Sequence, residues 1–430
     1  MSGKNAAAGS HRFCRRAAAL LSICALAMAG RAVAAAGAAN ERPPRPRMLK
    51  GGLPDRPSLS PEISIPVEPL GFTAPGGLYL GQRVSLVSLD FLGENRLLFT
   101  FRVPGLMHRD STQNKDGDER QIRAVVIDLP TGVATTEAVW TLHDRAHYLW
   151  ALGDGHFLLR DGANVSEGDA ELVLKPLLHF PGPLLSLAMD PTQRYMVANS
   201  YEPPTNSDAD QTAEDRVIRI LERASGRVLL VSRIRAAQQL PINSEGYLEL
   251  LRGSGLSWML NLHLYTGGSR LLGMLESSCV PGLDFETDAL LVANGCAIDG
   301  TRLLMGVTTG GKLLWQDAEP ATSVWPVRVR SAQGTRLAEE TLVATHAVSA
   351  YAPLGQEDIK GQAVRVFDTA TGAMVFETAV TPVFDAGGNV ALSPSGRRLA
   401  VLSGGALQVF ALPIPAPNIP AGGAPSGHGL

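Results

Sequence analysis

The strongest signal along this chain is a recurring alternation of short apolar runs and brief polar turns. Leu89-Asp90-Phe91-Leu92-Gly93-Glu94-Asn95-Arg96-Leu97-Leu98-Phe99 reads as strand, turn, strand. The same shape occurs from Ala188 to Val197, around Asp190-Pro191-Thr192-Gln193, and from Val390 to Val401, around Ser393-Pro394-Ser395-Gly396. Weaker copies start near Trp150, Leu250, Leu283 and Val327, giving seven copies in all. A second pattern follows in step, a Thr-Gly or Ser-Gly pair between two β-rich runs. It appears at Thr131-Gly132, Ser225-Gly226, Thr266-Gly267, Thr309-Gly310 and Thr371-Gly372. Glycine supplies the positive φ that a tight hairpin turn requires. These glycines are 94, 41, 43 and 62 residues apart, so one interval spans two units and another carries an insertion.

Strand, turn, strand, longer loop, strand, Thr-Gly turn, strand describes one four-stranded meander. Repeats of roughly 40–50 residues of this kind are the signature of propeller blades. Residues 80–413 divide into seven units of about 48 residues. The expected fold is therefore all-β, a single β-propeller of four-stranded, most naturally seven, blades. The fourth and sixth copies are faint, which leaves six or eight blades open. The best helical competitor is Glu214–Arg223, where Val217, Ile218 and Leu221 could share a face, but the repeat register assigns it to a strand.

The ends of the chain differ in character. Met1 to Arg16 is basic without an acidic residue, Ala17 to Gly30 is small or apolar, and Ala32-Val33-Ala34 offers small-residue cleavage sites. Residues 1–36 are thus expected to be a secretory signal, with an apolar run too short to span a bilayer comfortably. Residues 37–65 are Pro-rich and basic and are expected to form an extended linker; 66–413 form the propeller; 414–430 form a disordered Pro/Gly/Ala tail. The reading places the protein outside the cytoplasm, periplasmic or secreted, and not integral to the membrane once the signal is removed.

Composition narrows the function classes. The chain is 45% apolar and 18% charged, which excludes wholesale disorder. Lys and Arg number 38 against 41 acidic residues, so there is no basic excess to serve nucleic acid. Removing the five basic residues of 1–36 from the 38 leaves 33 against 41, a formal charge of −8. Two cysteines leave with the signal; Cys279 and Cys296 remain and are a disulfide candidate in an oxidising compartment, two free buried thiols being the alternative. Cys279 to Phe285 and Ala289 to Cys296 read as two strands folded about Thr287-Asp288, which sets the cysteines opposite one another. Opposed residues hold their Cβ atoms about 4.5–5.5 Å apart, near what a disulfide needs.

The chain resembles the bacterial exported β-propeller repeat proteins, the WD40-like, YVTN-type and quinoprotein-like group. The likeness rests on Ala391-Leu-Ser-Pro-Ser-Gly-Arg-Arg-Leu-Ala400, on Asp368-Thr-Ala-Thr-Gly372 with Phe376, and on Thr309-Gly-Gly-Lys-Leu-Leu-Trp315. It covers about 330 residues and has no Trp-Asp dipeptide, so it departs from true WD40 arrays. It implies a fold and little about activity. Quinoprotein dehydrogenases of this group often carry adjacent cysteines, which this chain lacks.

No catalytic, metal or cofactor signature stands out. His143 and His147 have helical metal spacing but fall in a link between strands, without the glutamate of a zinc motif. His156 and His263 alternate with apolar residues and read as satisfied sheet positions. Thr112 to Gly117 resembles a calcium loop, but Thr112 and Arg123 occupy positions that require acids. Three polar insertions, Met107–Gln121, Pro203–Asp215 and Pro353–Gly361, fall between the second and third strands of their blades. They carry Asp110, Asp116, Asp118 and Glu119; Asp208, Asp210, Glu214 and Asp215; and Glu357 and Asp358. Equivalent loops lie on one propeller face, so these acids are candidates for a recognition rim facing a basic partner, against the plainer reading of solvated loops. The leading functional expectation is a non-catalytic scaffold for an envelope protein or small ligand, without a cofactor. The alternatives are a lactonase-like or other hydrolase with a site in the central channel, and a cell-envelope assembly factor tethered by the basic linker.

Overall fold

The structure is a computed structural model and describes residues 59–74, 78–79, 85–103, 119–143, 147–202, 215–234, 240–348 and 355–417. All belong to one compact unit, residues 46–430. The expected signal, and the linker up to residue 58, lie outside the described residues.

Alternating apolar side chains generate seven sheets arranged in a ring, a seven-bladed β-propeller. Blade 1 comprises Val87–Gly93, Arg96–Arg102, Arg120–Asp128 and Val133–Leu142; blade 2 comprises Leu149–Ala151, Phe157–Asp161, Asn164–Gly168 and Leu174–His179. Blade 3 holds Leu184–Met189, Tyr195–Glu202, Asp215–Glu222 and Val228–Ile234. Blade 5 holds Gly282–Thr287, Leu290–Cys296, Arg302–Thr308 and Leu313–Ala318, and blade 6 holds Ser323–Arg330, Arg336–Ala344, Ile359–Asp368 and Met374–Val380. Within each sheet, successive strands pair antiparallel. The helical competitor around Glu214 is the third strand of blade 3.

Blade 4 corrects one expectation. Among the described residues its strands are Gly246–Arg252, Ser257–Leu264 and Ser269–Glu276. Leu250 lies on the first of these, but the axial position belongs to Leu240-Pro241-Ile242, which lines the centre beside the first strands of the other blades. That segment joins the sheet only through an isolated bridge between Ile242 and Tyr247. Proline has no N–H to give a ladder, so an innermost strand containing Pro241 shrinks to a bridge.

Blade 7 consists of Val390–Leu392, Arg398–Ser403 and Ala406–Ala411, and its outer strand comes from the other end of the chain. Ile63–Pro66 pairs antiparallel with Ala406–Ala411, Ile65 opposite Leu407. The linker expected to run to residue 65 therefore yields to a strand at Ile63. Ile65 is buried among Leu407, Val409 and Phe72, and that burial outweighs the extended preference of a Pro-rich segment.

Apolar clusters fill each gap between neighbouring blades. Between blades 7 and 1, Phe72 meets Phe99 and Phe101 edge to face, and those two rings tilt against each other, at centroid distances of 5.0–5.6 Å. The Thr-Gly pairs occupy the turns between third and fourth strands. Gly372 has φ +70° and meets Trp315 of blade 5, whose indole Nε1 donates to Thr369 O at 2.8 Å. The polar residue opening a first-to-second turn anchors that turn by accepting backbone N–H groups. Asp190 accepts from Tyr195 N at 2.7 Å, Ser331 from Arg336 N at 3.1 Å and Ser393 from Arg398 N at 3.2 Å. Past the last strand the expected tail starts as an anchored segment. Arg336 donates to Pro413 O at 2.8 Å and pairs with Asp368, which accepts Ala416 N at 2.9 Å.

Candidate functional site

The innermost strands surround a central cavity of about 660 Å³, within the usual range for a small-ligand site. Its wall is mixed. Leu149, Trp150, Leu187, Met189, Leu240 and Ile242 supply apolar surface, and the polar positions come mainly from blades 1, 2, 5 and 6. Two faces can be told apart by topology. The connector face carries the blade-to-blade links and the loops between second and third strands; the turn face carries the other two kinds of turn.

Arg330 closes the ring where blade 4 is thin. It stands at the end of the first strand of blade 6 and donates to Phe285 O of blade 5 at 2.5 Å. It also donates to Met189 O at 2.8 Å and Asp190 O at 3.0 Å, both from blade 3. A guanidinium presents several donors in a fixed fork, so one side chain ties blade 6 to blades 5 and 3 past the thin blade 4. Its acceptors lie where strands enter the turn face, so this end of the cavity is crossed by Arg330.

The neighbouring Arg328 is equally committed. It donates to Glu339 at 2.9 Å and 3.1 Å and to Glu319 at 3.3 Å. Glu319 is pushed up to about 7 by burial and then by the Glu339 carboxylate, against the pull of Arg328 and Arg302. Glu286 is 3% exposed and is raised to about 7 by burial, with Arg330 as the main opposing cation. Across the ring, Asp90 accepts from Ser88 Oγ at 2.7 Å, and burial raises it to about 7. His147 is reached by solvent and rests edge-on to Trp150 at 4.8 Å. The surrounding protein and then the Arg160 cation lower its pKa, which favours a neutral ring.

Two acceptors at the cavity lack partners. Glu286 Oε2 and Asn294 Oδ1 are buried without a hydrogen bond. Gly282 stands opposite Asn294 in the ladder, and glycine leaves room for Asn294 to reach the cavity.

The disulfide expected from sequence is present, with Cys279 and Cys296 Cα atoms 5.4 Å apart. Its setting differs in register. The strands pair as Gly282 with Asn294 and Phe285 with Leu291, and an irregularity follows before Thr287 meets Leu290. Cys279 therefore precedes its strand, in the connection from blade 4 to blade 5. Ser277 Oγ accepts Cys296 N at 2.9 Å and donates to Cys279 O at 2.7 Å, holding the two segments together.

The three insertions connect second to third strands in blades 1, 3 and 6, the positions read from the repeats. Most of the candidate rim, Asp110, Asp116, Asp118, Asp208, Asp210 and Glu214, lies outside the described residues. Glu119 is exposed just before the third strand of blade 1, and Asp215 opens that of blade 3. Glu357 and Asp358 form a short 3-10 turn, Gln356–Asp358, in which Asp358 accepts Gly355 N at 2.8 Å. His143 and His147 go to different neighbours, His143 to Asp161 at 3.0 Å. His156 meets Glu167 at 3.0 Å, and His263 meets Glu249 at 2.7 Å while stacking on Tyr247. Among the described residues no group of three or more His, Cys, Asp or Glu could hold a metal ion. None of their helices is long and apolar enough to cross a membrane.

Sequence reading did not single out Asp90, Asn294, Glu286 or Arg330. A signal was there, since Asp284 and Glu286 alternate with Leu283 and Phe285, and Arg328 and Arg330 with Val327 and Val329. An axial strand packed on both sides normally reads as a continuous apolar run.

Exposed apolar residues are spread over several blades, and three of them, Leu256, Val280 and Ile298, share the connector face of blades 4 and 5. Leu256 is 39%, Val280 71% and Ile298 84% exposed. Backbone bonds tie their segments around the disulfide: Ser277 N to Leu256 O and Ser278 N to Cys296 O, each 2.9 Å. Ser278 Oγ adds a bond to Ala297 O at 2.6 Å.

No known family model matches the chain, and no curated protein matches it in sequence. Solved structures similar to it include propeller and WD40 domains. An acylaminoacyl peptidase of Pyrococcus horikoshii is 10% identical over 74% of this chain, with a TM-score of 0.45. This chain spans about half of that peptidase, 48% of its length. The WD40 domain of Toxoplasma gondii coronin is 10% identical, covering 85% of this chain and 89% of its own, with a TM-score of 0.45. The β-propeller domain of the Trilobed protease from Pyrococcus furiosus is 10% identical, covering 76% and 94%, with a TM-score of 0.43.

Proposed function

We propose that this chain is an exported, non-catalytic propeller that binds a protein partner in the cell envelope through its connector face. The observation that carries the reading is the apolar group of Leu256, Val280 and Ile298 on that face, held in place by the Cys279–Cys296 bridge. Large apolar side chains gathered at high exposure favour association, because covering them releases water from apolar surface. The acidic insertions belong by topology to the same face and would add steering toward a basic partner. The export signal read in residues 1–36 and the disulfide both favour an oxidising compartment.

The test is a pull-down from envelope extract with the mature chain from residue 37 as bait. A parallel bait carries Val280→Lys and Ile298→Lys, two exposed positions whose change spares the core. A partner kept by the first bait and lost by the second supports the reading. A partner retained equally by both removes the connector-face assignment.

A further inference from the structure

The central cavity holds a second candidate site, independent of the partner face. Asn294 and Asp284 lie on the same side of blade 5, the side turned toward blade 6, as the strand register requires, and Glu286 follows at the irregularity, under the influence of Arg330 and Arg328 of blade 6. All three line the cavity. At the two ends of this row, Asn294 Oδ1 and Glu286 Oε2 are buried acceptors without partners. Buried polar atoms in folded proteins are nearly always paired, and an orphan costs roughly 1–3 kcal/mol. Two orphans on one wall of one cavity mark a place where donors are supplied from outside.

The chemistry of those donors follows from the surroundings. Both cations of this wall are occupied, Arg330 by three backbone carbonyls and Arg328 by Glu319 and Glu339. An anionic ligand would therefore have to break existing bonds. A cationic ligand would enter beside Arg330, the charge that acts most strongly on Glu286. What remains is a donor without charge, and hydroxyl groups are the commonest kind. The opposite side of the cavity offers an aromatic and aliphatic surface, Trp150 with Leu187 and Met189, which suits the C–H faces of a ring.

We propose that the slot between blades 5 and 6 is the recognition end of a binding site for a small neutral polyhydroxylated ligand, a sugar or polyol. Its hydroxyls donate to Asn294 Oδ1 and Glu286 Oε2, and its carbon skeleton packs toward Trp150. Arg330, fixed by its carbonyl partners, forms the floor toward the turn face.

The test uses the mature chain with glucose, trehalose, maltose and N-acetylglucosamine as probes and spermidine as the charged comparison, read by saturation-transfer NMR and calorimetry. At least one saccharide is expected to saturate. Asn294→Leu keeps the volume but removes the acceptor, and should weaken binding about tenfold or more. Ala188→Trp fills the cavity from blade 3, where Ala188 is exposed to it, and should abolish binding; Ala188→Ser should leave it intact. If Ala188→Trp proves unfolded by circular dichroism, Asn294→Leu decides. The proposal is overturned if no saccharide binds the folded wild type, if spermidine alone binds, or if Asn294→Leu binds as tightly as wild type.

Discussion

Replacing Arg330 with alanine tests the idea that one side chain ties blades 3, 5 and 6 together across the ring. The side chain donates three hydrogen bonds to Phe285, Met189 and Asp190 carbonyls at 2.5–3.0 Å, joining blades 3, 5 and 6. Hydrogen bonds involving a charged group contribute roughly 1.5–3 kcal/mol each. Arg330 is half-buried and borders the cavity, so water can replace part of what is lost. The expected cost is therefore somewhat below the low end of about 4.5 kcal/mol for the three bonds, about 3–4 kcal/mol. Arg330→Lys should recover less than half, because an ammonium is a single point donor and cannot span three carbonyls on two blades. Urea denaturation followed by far-UV circular dichroism and tryptophan fluorescence measures both variants. Arg398→Ala is the control, since Arg398 also bridges blades, reaching Glu94 O at 3.0 Å and Asn95 at 2.8 Å, but through exposed contacts. If Arg330→Ala lies within about 0.5 kcal/mol of wild type, as an ordinary surface change would, the bridging role is refuted.

Three further outcomes are expected. The Cys279–Cys296 bridge spans 17 residues, so the double change to alanine should cost about 3 kcal/mol through the unfolded chain; a urea midpoint unchanged by the mutations or by reductant would contradict this. Burial raises Glu340 to about 8, and Glu286 and Asp90 to about 7, from ordinary carboxylate values. The folded state then binds more protons than the unfolded, so stability should fall as pH rises from about 5 to 8, and Glu340→Gln should flatten the slope; urea midpoints that stay level or rise would rule it out. Asp368→Ala strips the partner from Arg336, which is 1% exposed, and frees Ala416 N. It should cost about 3–5 kcal/mol, whereas removing both side chains as Arg336→Met with Asp368→Leu should cost less, by a double-mutant comparison of unfolding midpoints.

Much of this fold is local. An apolar strand of five to eight residues, a turn opened by Asp190, Ser331 or Ser393, and a Gly372-type hairpin are each written within a few residues of one another. That is why blade count, strand order and the position of the long insertions were legible without coordinates. The cysteine pair was legible too, because a hairpin brings residues so close in sequence together in either of two neighbouring registers. The one-residue register shift beside Glu286 was not, since it depends on which side chains blades 4 and 6 accept.

Tertiary structure alone decided the rest. Ile63–Pro66 looks like linker, and becomes a strand only because Ala406–Ala411 presents an open edge far along the chain. Pro241 reduces the axial segment of blade 4 to a bridge, and Arg330, distant in sequence, ties blade 6 to blades 3 and 5. The cavity wall likewise draws Asp90, Trp150, Glu286 and Asn294 from separate repeats. A periodic sequence specifies each blade through nearest-neighbour turns and alternation. What faces the axis is set by ring closure, which brings residues together across distances that no local pattern records.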